Sequence, residues 1–133
     1  MTKVYLNPYI NFQGRAREAM EFYQKALGGK LELQTSNEQG VPKPAVPGDR
    51  ITNARLEAEG VLIVGTDGHP NYPAKVGENV AIAVGGTDAA RLIRIFNALA
   101  EGGQNKMPLT EKSYAGFLAD KFNINWVFTI DKK

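Results

Sequence analysis

An internal repeat is the feature of this sequence that most restricts its fold. The stretches FYQKALGG at 22–29 and FNALAEGG at 96–103 each end a helical pattern with two glycines, and the phenylalanine and the glycine pair both recur after 74 residues. Around each stretch the hydrophobic pattern predicts the same order of strand, helix, strand, strand, strand. One helix covers only one side of a four-stranded sheet, so two such copies predict a duplicated fold.

The first copy is predicted from the period of its apolar residues. Alternation predicts strands at 5–12, 30–36, 51–58 and 61–66, with a hairpin turn at Glu59–Gly60. Residues 37–50, which include Pro42, Pro44, Pro47 and Gly48, predict a long loop or lid. A helix that ends at Gly28 is predicted from apolar residues three and four apart, namely Ala16, Ala19, Met20, Tyr23 and Leu27.

The second copy follows a stretch without regular period, DGHPNYPAKVG at 67–77. We expect half-modules of about 1–68 and 77–133 within a single domain, joined by a linker near 68–76. Thr87 or Asp88 is predicted to cap the helix. The predicted strands are 79–84, 104–107, 115–119 and 125–130. The pattern places Val80, Ile82 and Val84 inward in the first of these, Ala89, Leu92, Ile93, Phe96 and Leu99 on the helix stripe, and Trp126, Phe128 and Ile130 on the core side of the last strand.

Composition excludes several classes of site. The 133 residues include no cysteine and one histidine, which excludes disulfide frameworks, zinc fingers, cysteine nucleophiles and any site that needs two histidines from one chain. Sixteen basic and fourteen acidic residues are scattered, so no nucleic-acid partner is expected. No segment approaches the roughly 20 apolar residues of a membrane span, and the first residues lack a secretion signal. We therefore expect a cytoplasmic protein without a membrane partner.

Three stretches carry a resemblance that covers nearly the whole chain. They are YINFQGRAREAMEFYQKALGGKLE, ITNARLEAEGVLIVGTD and KMPLTEKSYAGFLADKFNINWVF. The chain resembles the vicinal oxygen chelate superfamily, which includes glyoxalase I, bleomycin resistance proteins and extradiol dioxygenases, and most closely its PhnB-like branch. The resemblance implies the α+β glyoxalase/bleomycin resistance fold, in which two βαβββ modules curl their sheets around a cavity, and it implies a homodimer.

The resemblance also implies where a metal would be bound. Superfamily enzymes place histidine and glutamate ligands on cavity-facing strand positions of both modules. Carried over residue by residue, these positions fall on Asn7 (or Pro8), Arg55 with Asn53 in the same strand, Asn79, and Val127. None supplies a histidine or a carboxylate, and the fixed charge of Arg55 would repel a divalent cation. We expect no tight catalytic metal, while Glu57 leaves one oxygen ligand for a divalent ion.

Strand faces opposite the apolar core predict the ligand site. These faces are polar and rich in amides, which favours a binding cavity over the alternative of a solvated open sheet. Arg55 could bind a carboxylate, phosphate or phosphonate with two hydrogen bonds, or form a salt bridge with Glu57. His69 is interpreted as an exposed loop residue, with a catalytic base or lone ligand as the alternative. The predicted ligand-binding residues are Asn7, Tyr9, Asn53, Arg55, Glu57, Asn79, Asn125 and Val127.

Three functional hypotheses follow from this reading. The first is a PhnB-like protein that binds a small molecule without the usual catalytic metal. The second is a divergent metal-dependent lyase, isomerase or dioxygenase that uses Glu57 with His69 or with a residue of a partner chain. The third is an interaction module whose cavity is filled by its own side chains. No residue is assigned as catalytic by the sequence.

Overall fold

The computed structural model describes residues 4–132, and the chain divides into two compact units at 1–75 and 76–133. Each unit contains one sheet and one long helix. The elements of the first unit are β1 (Tyr9–Asn11), α1 (Ala16–Leu27), β2 (Lys30–Ser36), β3 (Pro42–Pro44), β4 (Asn53–Ala58) and β5 (Val61–Thr66). Those of the second are β6 (Ile82–Gly86), α2 (Ala89–Ala100), β7 (Gln104–Met107), β8 (Ala115–Ala119) and β9 (Asn125–Ile130).

The two sheets share one strand order. The first sheet is ordered β1-β5-β4-β2-β3 and the second β6-β9-β8-β7. In each, the opening strand pairs in parallel with the closing strand of its unit, and the other pairs are antiparallel. The short β3 is an addition at the edge of the first sheet. The fold is therefore α+β with two modules of the predicted order, apart from this extra strand.

The helix of the first unit packs on one face of its sheet. All five predicted stripe residues of α1 are buried, and the helix contacts β2, β4 and β5. Gly65 of β5 lies under this helix, because a Cβ at that position would come within 2.8 Å of the Phe12 ring and 3.1 Å of the Met20 sulfur. Ala54 and Leu56 of β4 are fully buried on the same side. The helix face of this sheet is therefore a closed apolar layer.

The helix of the second unit is rotated slightly from its predicted orientation. Asp88 caps α2 by accepting a hydrogen bond from the Arg91 N–H at 3.1 Å, as predicted. The buried helix residues are Leu92, Ile95, Phe96 and Leu99, so the prediction of Ile93 on the stripe was wrong and Ile95 takes that place. Trp126, Phe128 and Ile130 of β9 are buried as predicted.

The glycine pairs have the same two tasks in both units. Gly28 and Gly102 adopt positive φ angles of 78°, which glycine reaches at low cost after a helix. Gly29 and Gly103 allow close strand contact, since a Cβ would lie 2.3 Å from the Glu57 carbonyl oxygen in the first case and 2.2 Å from that of Ala119 in the second. The contacted strands, β4 and β8, hold equivalent places in their sheets.

Two strand predictions and one loop prediction of the first unit need correction. The strand predicted at 5–12 spans only Tyr9–Asn11, because β5 is its one neighbour and pairing begins at the Pro8 carbonyl, which accepts from the Val64 N–H. The strand predicted at 51–58 begins at Asn53, since the Ile51 N–H bonds to the Asp67 carboxylate instead of a neighbouring strand. The loop at 37–50 contains β3.

The strand predicted at 79–84 is found at Ile82–Gly86. The strand continues through Gly85, which pairs with Thr129 of β9. A Cβ on Gly85 would approach the Thr129 hydroxyl to 2.8 Å, so only glycine fits there without a shift. Val80, predicted to face inward, is 75% exposed. Within residues 4–132, neither helix is long and apolar enough to cross a membrane.

Candidate functional site

The face of the first sheet that lies away from α1 carries its polar side chains in register. Strand pairing places Glu32, Arg55, Val64 and Tyr9 side by side in a central row. The next row on the same face, two residues away along β2 and β4, places Lys30 opposite Glu57. Alternation along β4 thus separates Asn53, Arg55 and Glu57 from buried Ala54 and Leu56, as the sequence predicted.

A group of four charged residues, Lys30, Glu32, Arg55 and Glu57, occupies the middle of this face. Along β4 the Arg55 Nε donates to Glu57 Oε1 at 2.8 Å, and along β2 the Lys30 Nζ lies 3.1 Å from Glu32 Oε1. Across the strands Lys30 pairs with Glu57 and Glu32 with Arg55. We call this group the charge quartet. Its formal charge sums to zero, so the Arg55 cation is neutralised within the sheet.

The charge quartet shifts two titrations. The hydrogen bond from Arg55 holds the pKa of Glu57 below its ordinary value of 4.5, with the attraction of Arg55 and of Lys30 adding to the effect. The same bond to Glu57, and then a side-chain bond with Tyr5, raises the pKa of Arg55. The Arg55 guanidinium carbon also lies 5.7 Å from the centre of the Tyr5 ring. Both groups of the ion pair therefore stay charged through the neutral range.

Three further predicted residues of the first unit lie on or beside this face. Asn7 precedes β1, and its Nδ2 donates to the neighbouring Pro8 carbonyl at 2.9 Å. Tyr9 is 63% exposed. Asn53 opens β4 and is half-buried opposite Gln34. The amides of Asn53 and Gln34 thus extend the polar face toward the end of β4.

The other three predicted residues belong to the second unit. Asn79 lies in a bend before β6, outside any strand. The Asn125 Nδ2 is within 3.4 Å of the Gly77 carbonyl and 3.3 Å of the Val80 carbonyl, so this side chain holds the approach to β6. Val127 lies in an apolar row. Of the eight predicted residues, the first unit brings together Arg55 and Glu57 in direct contact.

A metal of the superfamily type does not fit the carried-over positions. Their donors are amides, one guanidinium and one alkyl group, which are weak, repulsive and inert toward a divalent cation. Within the described part of the chain, no three histidine, aspartate or glutamate side chains converge as a metal site. Glu57, the one carboxylate on β4, is bonded to Arg55 at 2.8 Å.

A cleft of about 550 Å³ opens at the C-terminal ends of β1 and β5. Three segments line it: the loop from β1 to α1, the loop before β4, and the segment after β5. Sequence reasoning interpreted these segments as loops or linker and missed the cleft. A signal was present, because PGDR at 47–50 and DGHP at 67–70 each contain a carboxylate and a basic side chain within two residues of a glycine.

Asp67 fastens the three segments that line the cleft. Its Oδ1 accepts from the Ala16 N–H at 2.8 Å and its Oδ2 from the Ile51 N–H at 2.7 Å. The first bond replaces a local cap, since Arg15 at the helix start makes no side-chain cap bond. The Asp67 carbonyl also accepts from the Gly14 N–H at 3.0 Å. The carboxylate of Asp67 is thus part of the framework of the cleft.

His69 lies at the cleft and is exposed. Its Nδ1 accepts from the Asn71 N–H at 3.1 Å, so the neutral ring carries its proton on Nε2. The imidazole also stacks at an angle of 50° beside Tyr72, with 5.6 Å between ring centres. The ring is therefore oriented, and its free nitrogen is a donor.

Comparison with known proteins identifies the family of this chain. The model of the family described as 3-demethylubiquinone-9 3-methyltransferase matches residues 5–129. The chain belongs to this family. This family match supports the PhnB-like branch that the sequence resembles.

Three relatives illustrate the match. Protein YjdN of Escherichia coli (strain K12) is 26% identical, and the match covers 96% of each chain. The crystal structure of protein PA1353 from Pseudomonas aeruginosa is 33% identical, with a TM-score of 0.81 over 98% of this chain and 100% of that one. A PhnB protein from Bacillus cereus is 21% identical, with a TM-score of 0.69 over 98% and 100% of the two chains.

More distant structures show the fold alone. Glyoxalase/bleomycin resistance proteins match the chain with TM-scores of 0.57 and 0.62 at identities of 16% and 13%. The predicted glyoxalase/bleomycin resistance fold is thereby confirmed.

Proposed function

We propose that this family member is a small-molecule binding protein that acts without the catalytic metal of its superfamily, and that its ligand carries an anionic group recognised by Arg55. The methyltransferase description of the family is not part of the proposal, because no glycine-rich cofactor loop follows a strand in the sequence. The proposal concerns the open face of the first sheet. One observation carries it: Arg55 is held in a fixed orientation in the middle of a polar sheet face.

The hydrogen bond to Glu57 fixes the side chain of Arg55 before any ligand arrives. A guanidinium has five N–H donors, of which the bonds to Glu57 and Tyr5 take two, so the others remain for a carboxylate or phosphate. Arg55 is also partly shielded, with 34% of its side chain exposed. A charge-assisted hydrogen bond made by a preoriented and partly shielded arginine is stronger than one made in open solvent.

The neutral charge quartet favours a monoanion over a polyanion. Glu57 already balances the charge of Arg55, and Glu32 lies opposite Arg55 on β2, so every further negative charge of a ligand is repelled by both carboxylates. The tyrosines of the same face, Tyr5 and Tyr9, are 59% and 63% exposed and offer ring surfaces to an organic body. A small organic acid therefore suits this face better than inorganic phosphate.

Thermal-shift measurements test the proposal with acetate, benzoate, methylphosphonate and phosphate as probes. We expect a monoanionic organic acid to stabilise the protein, by about 2.7 kcal/mol at one hundred times its dissociation constant. Arg55→Gln should weaken that binding about ten-fold or more, because a hydrogen bond to a charged group is lost. Arg94→Gln, which changes an exposed arginine of α2, is the matched control. Equal binding by the Arg55 variant and the wild type would contradict the proposal.

The absence of a catalytic metal is tested separately. Protein purified without chelator should contain far less than one transition metal ion per chain by elemental analysis. A stoichiometric metal whose content falls in Glu57→Gln or His69→Ala would favour the alternative of a metal-dependent lyase, isomerase or dioxygenase.

We further propose that the protein is a cytoplasmic homodimer without a nucleic-acid or membrane partner. The superfamily resemblance supports the dimer, and the scattered charge of +2 supports the lack of a nucleic-acid partner. Sedimentation equilibrium tests the oligomeric state, and a monomer at high concentration would contradict this part of the proposal.

A further inference from the structure

The cleft of the first unit, described above as framed by Asp67, is separate from the Arg55 face and has its own chemistry. We propose that this cleft is a second ligand site, which takes a small organic carboxylate with an apolar body. The carboxylate is bound by Arg50, by the Asn11 amide and by the Nε2–H of His69. This inference goes beyond the proposed function, because it concerns different residues and does not require a ligand at Arg55.

The size of the cleft suits a ligand of this kind. Its volume of about 550 Å³ falls within the roughly 300–1,000 Å³ typical of small-molecule pockets. Pro70, Pro73 and Ala74 give it an apolar wall. Proline also limits the freedom of the segment after β5, so ordering this wall around a ligand costs little conformational entropy.

The acceptor groups of the cleft are mostly occupied by backbone N–H groups. Both carboxylate oxygens of Asp67 are bonded at 2.7 and 2.8 Å. The Asn11 Oδ1 accepts from the Gln13 N–H at 2.8 Å, and the His69 Nδ1 accepts from the Asn71 N–H at 3.1 Å. The Asp49 Oδ2 accepts from the Val46 N–H at 2.9 Å. These groups are therefore poor partners for hydrogen-bond donors on a ligand.

The donors of the cleft, in contrast, are largely available. The Arg50 guanidinium makes one described bond, from Nη2 to the Gly68 carbonyl, which holds it across the cleft. Among residues 4–132, the Asn11 Nδ2 and the His69 Nε2 have no hydrogen-bond partner. A site that offers a guanidinium, an amide NH₂ and an imidazole N–H is complementary to a carboxylate, which only accepts.

Close packing fixes the position of the amide donor. Gly68 has a φ angle of +82°, and a Cβ on it would lie 2.6 Å from the Asn11 Oδ1. The segment that carries His69 can therefore lie directly against Asn11. The two donors come from different parts of the unit, the end of β1 and the segment after β5, and both residues line the same cleft.

Two carboxylates line the cleft and oppose an anion there, Asp67 and Asp49. Both oxygens of Asp67 accept from backbone N–H groups that hold the cleft together, so Asp49 is the carboxylate whose repulsion a variant can test. It is next to Arg50 in sequence, and its carboxylate keeps one oxygen that accepts from no described backbone N–H. Removing the negative charge of Asp49 should therefore change the affinity for a carboxylate in the opposite direction from removing the positive charge of Arg50. Asp49→Asn should strengthen carboxylate binding several-fold, whereas Arg50→Gln should weaken it about ten-fold or more.

Titration of the full chain with benzoate, followed by two-dimensional NMR of backbone and side-chain amides, tests the inference. We expect saturable shifts at Gly14, Gly68 and the Asn11 side-chain NH₂, with little effect of benzamide, which has the same shape without the charge. Benzoate can also bind at Arg55, so the titration is repeated in Arg55→Gln, where the shifts at the cleft should persist.

The result has four outcomes that decide it. Cleft shifts that weaken in Arg50→Gln and strengthen in Asp49→Asn support a carboxylate site. Equal binding of benzamide and benzoate overturns it. Unchanged affinity in the Arg50 and Asp49 variants, with amide signals of α2 confirming that both fold, also overturns it. Loss of all benzoate shifts in Arg55→Gln overturns the second site and supports the Arg55 proposal alone.

Discussion

The central rows of the two open sheet faces occupy the same place in the strand order. In the first unit this row consists of Glu32, Arg55, Val64 and Tyr9. In the second unit it consists of Met107, Phe117, Val127 and Ala83, which are all apolar and all exposed. The scaffold under each row is alike, with one helix on the far face and a glycine pair after that helix. The repeat has thus kept its framework while its two faces have taken different chemistry.

The difference shows which side of each sheet can vary between the two units. Residues on the helix side fill the core of their own unit, so they are apolar in both copies. Residues on the open side are not held to that packing, and the row is charged in the first unit and apolar in the second. The following four predictions test this comparison, beginning with the shared framework and ending with the charged face.

The largest change in stability is expected in the helices, where residues 74 positions apart in the sequence are not equally buried. Phe96 is fully buried, and Phe96→Ala should lower the free energy of unfolding by about 3–5 kcal/mol. Phe22, its counterpart in the sequence repeat, is half-buried, and Phe22→Ala should cost about 1 kcal/mol. Urea denaturation measures both. Equal losses would show that the two phenylalanines are structurally equivalent after all.

The next effect tests whether the second glycine of each pair has the same task. Gly29→Ala and Gly103→Ala should each lower the free energy of unfolding by about 2–4 kcal/mol, because the new Cβ would overlap a strand carbonyl. Gly60→Ala is the control for Gly29→Ala, since Gly60 shares the positive φ angle of Gly29 but has no neighbour within 4 Å, whereas Gly103 has no positive φ angle. The cost of Gly60→Ala should be about 1 kcal/mol. Equal losses in all three variants would contradict the role of close contact.

A smaller difference in the free energy of unfolding is expected between two aspartates, one in each unit, that accept hydrogen bonds within their own unit. Asp120 is 2% exposed and accepts from the Phe122 and Ile124 N–H groups and from Trp126 Nε1 at 2.8 Å. Asp67 accepts from two backbone N–H groups and is half-buried. Asp120→Ala should therefore cost about 3 kcal/mol and Asp67→Ala about 2 kcal/mol. A larger loss in the Asp67 variant would reverse this ranking.

The smallest effect belongs to the charged face of the first unit. The pKa of Glu57 is lowered by Arg55, so the ion pair contributes to stability above the unfolded-state pKa of about 4.5, and this contribution is lost as pH falls through the lower pKa of the folded state. In Arg55→Gln the pKa of Glu57 should rise toward 4.5, as measured by carboxyl NMR. Arg94→Gln should leave it unchanged. An unaltered Glu57 pKa in the Arg55 variant would contradict the ion pair.

Much of the fold could be predicted because the spacing of apolar residues and the positions of glycine and proline are local signals. The strands at 30–36, 61–66, 104–107, 115–119 and 125–130 have the predicted bounds. The helices were placed correctly, yet the 74-residue repeat misled their comparison. The helices begin at Ala16 and Ala89, which is an interval of 73, and α2 is followed by one extra residue, Glu101, before its glycine pair. The glycines keep the interval of 74 and the buried helix faces do not.

The candidate site was harder to predict because it depends on contacts between distant segments. Alternation along β4 predicts that Arg55 and Glu57 share a face, and a salt bridge between them is one of the two roles that the sequence predicts for Arg55. The bonds from Asp67 to Ala16 and Ile51 span 51 and 16 residues and leave no periodic trace in the sequence. The cleft that they frame therefore became visible only in the structure.

The two prolines of β3 determine how the outer edge of the first sheet meets other molecules. The Ala45 N–H donates inward to the Leu33 carbonyl, so the alternate backbone nitrogens, those of Pro42 and Pro44, face away from the sheet. Neither nitrogen carries a hydrogen. The edge thus offers no N–H donor along this strand, and an incoming strand from another molecule finds carbonyls without their matching donors. This edge is closed to strand addition and so to growth of the sheet into a fibre.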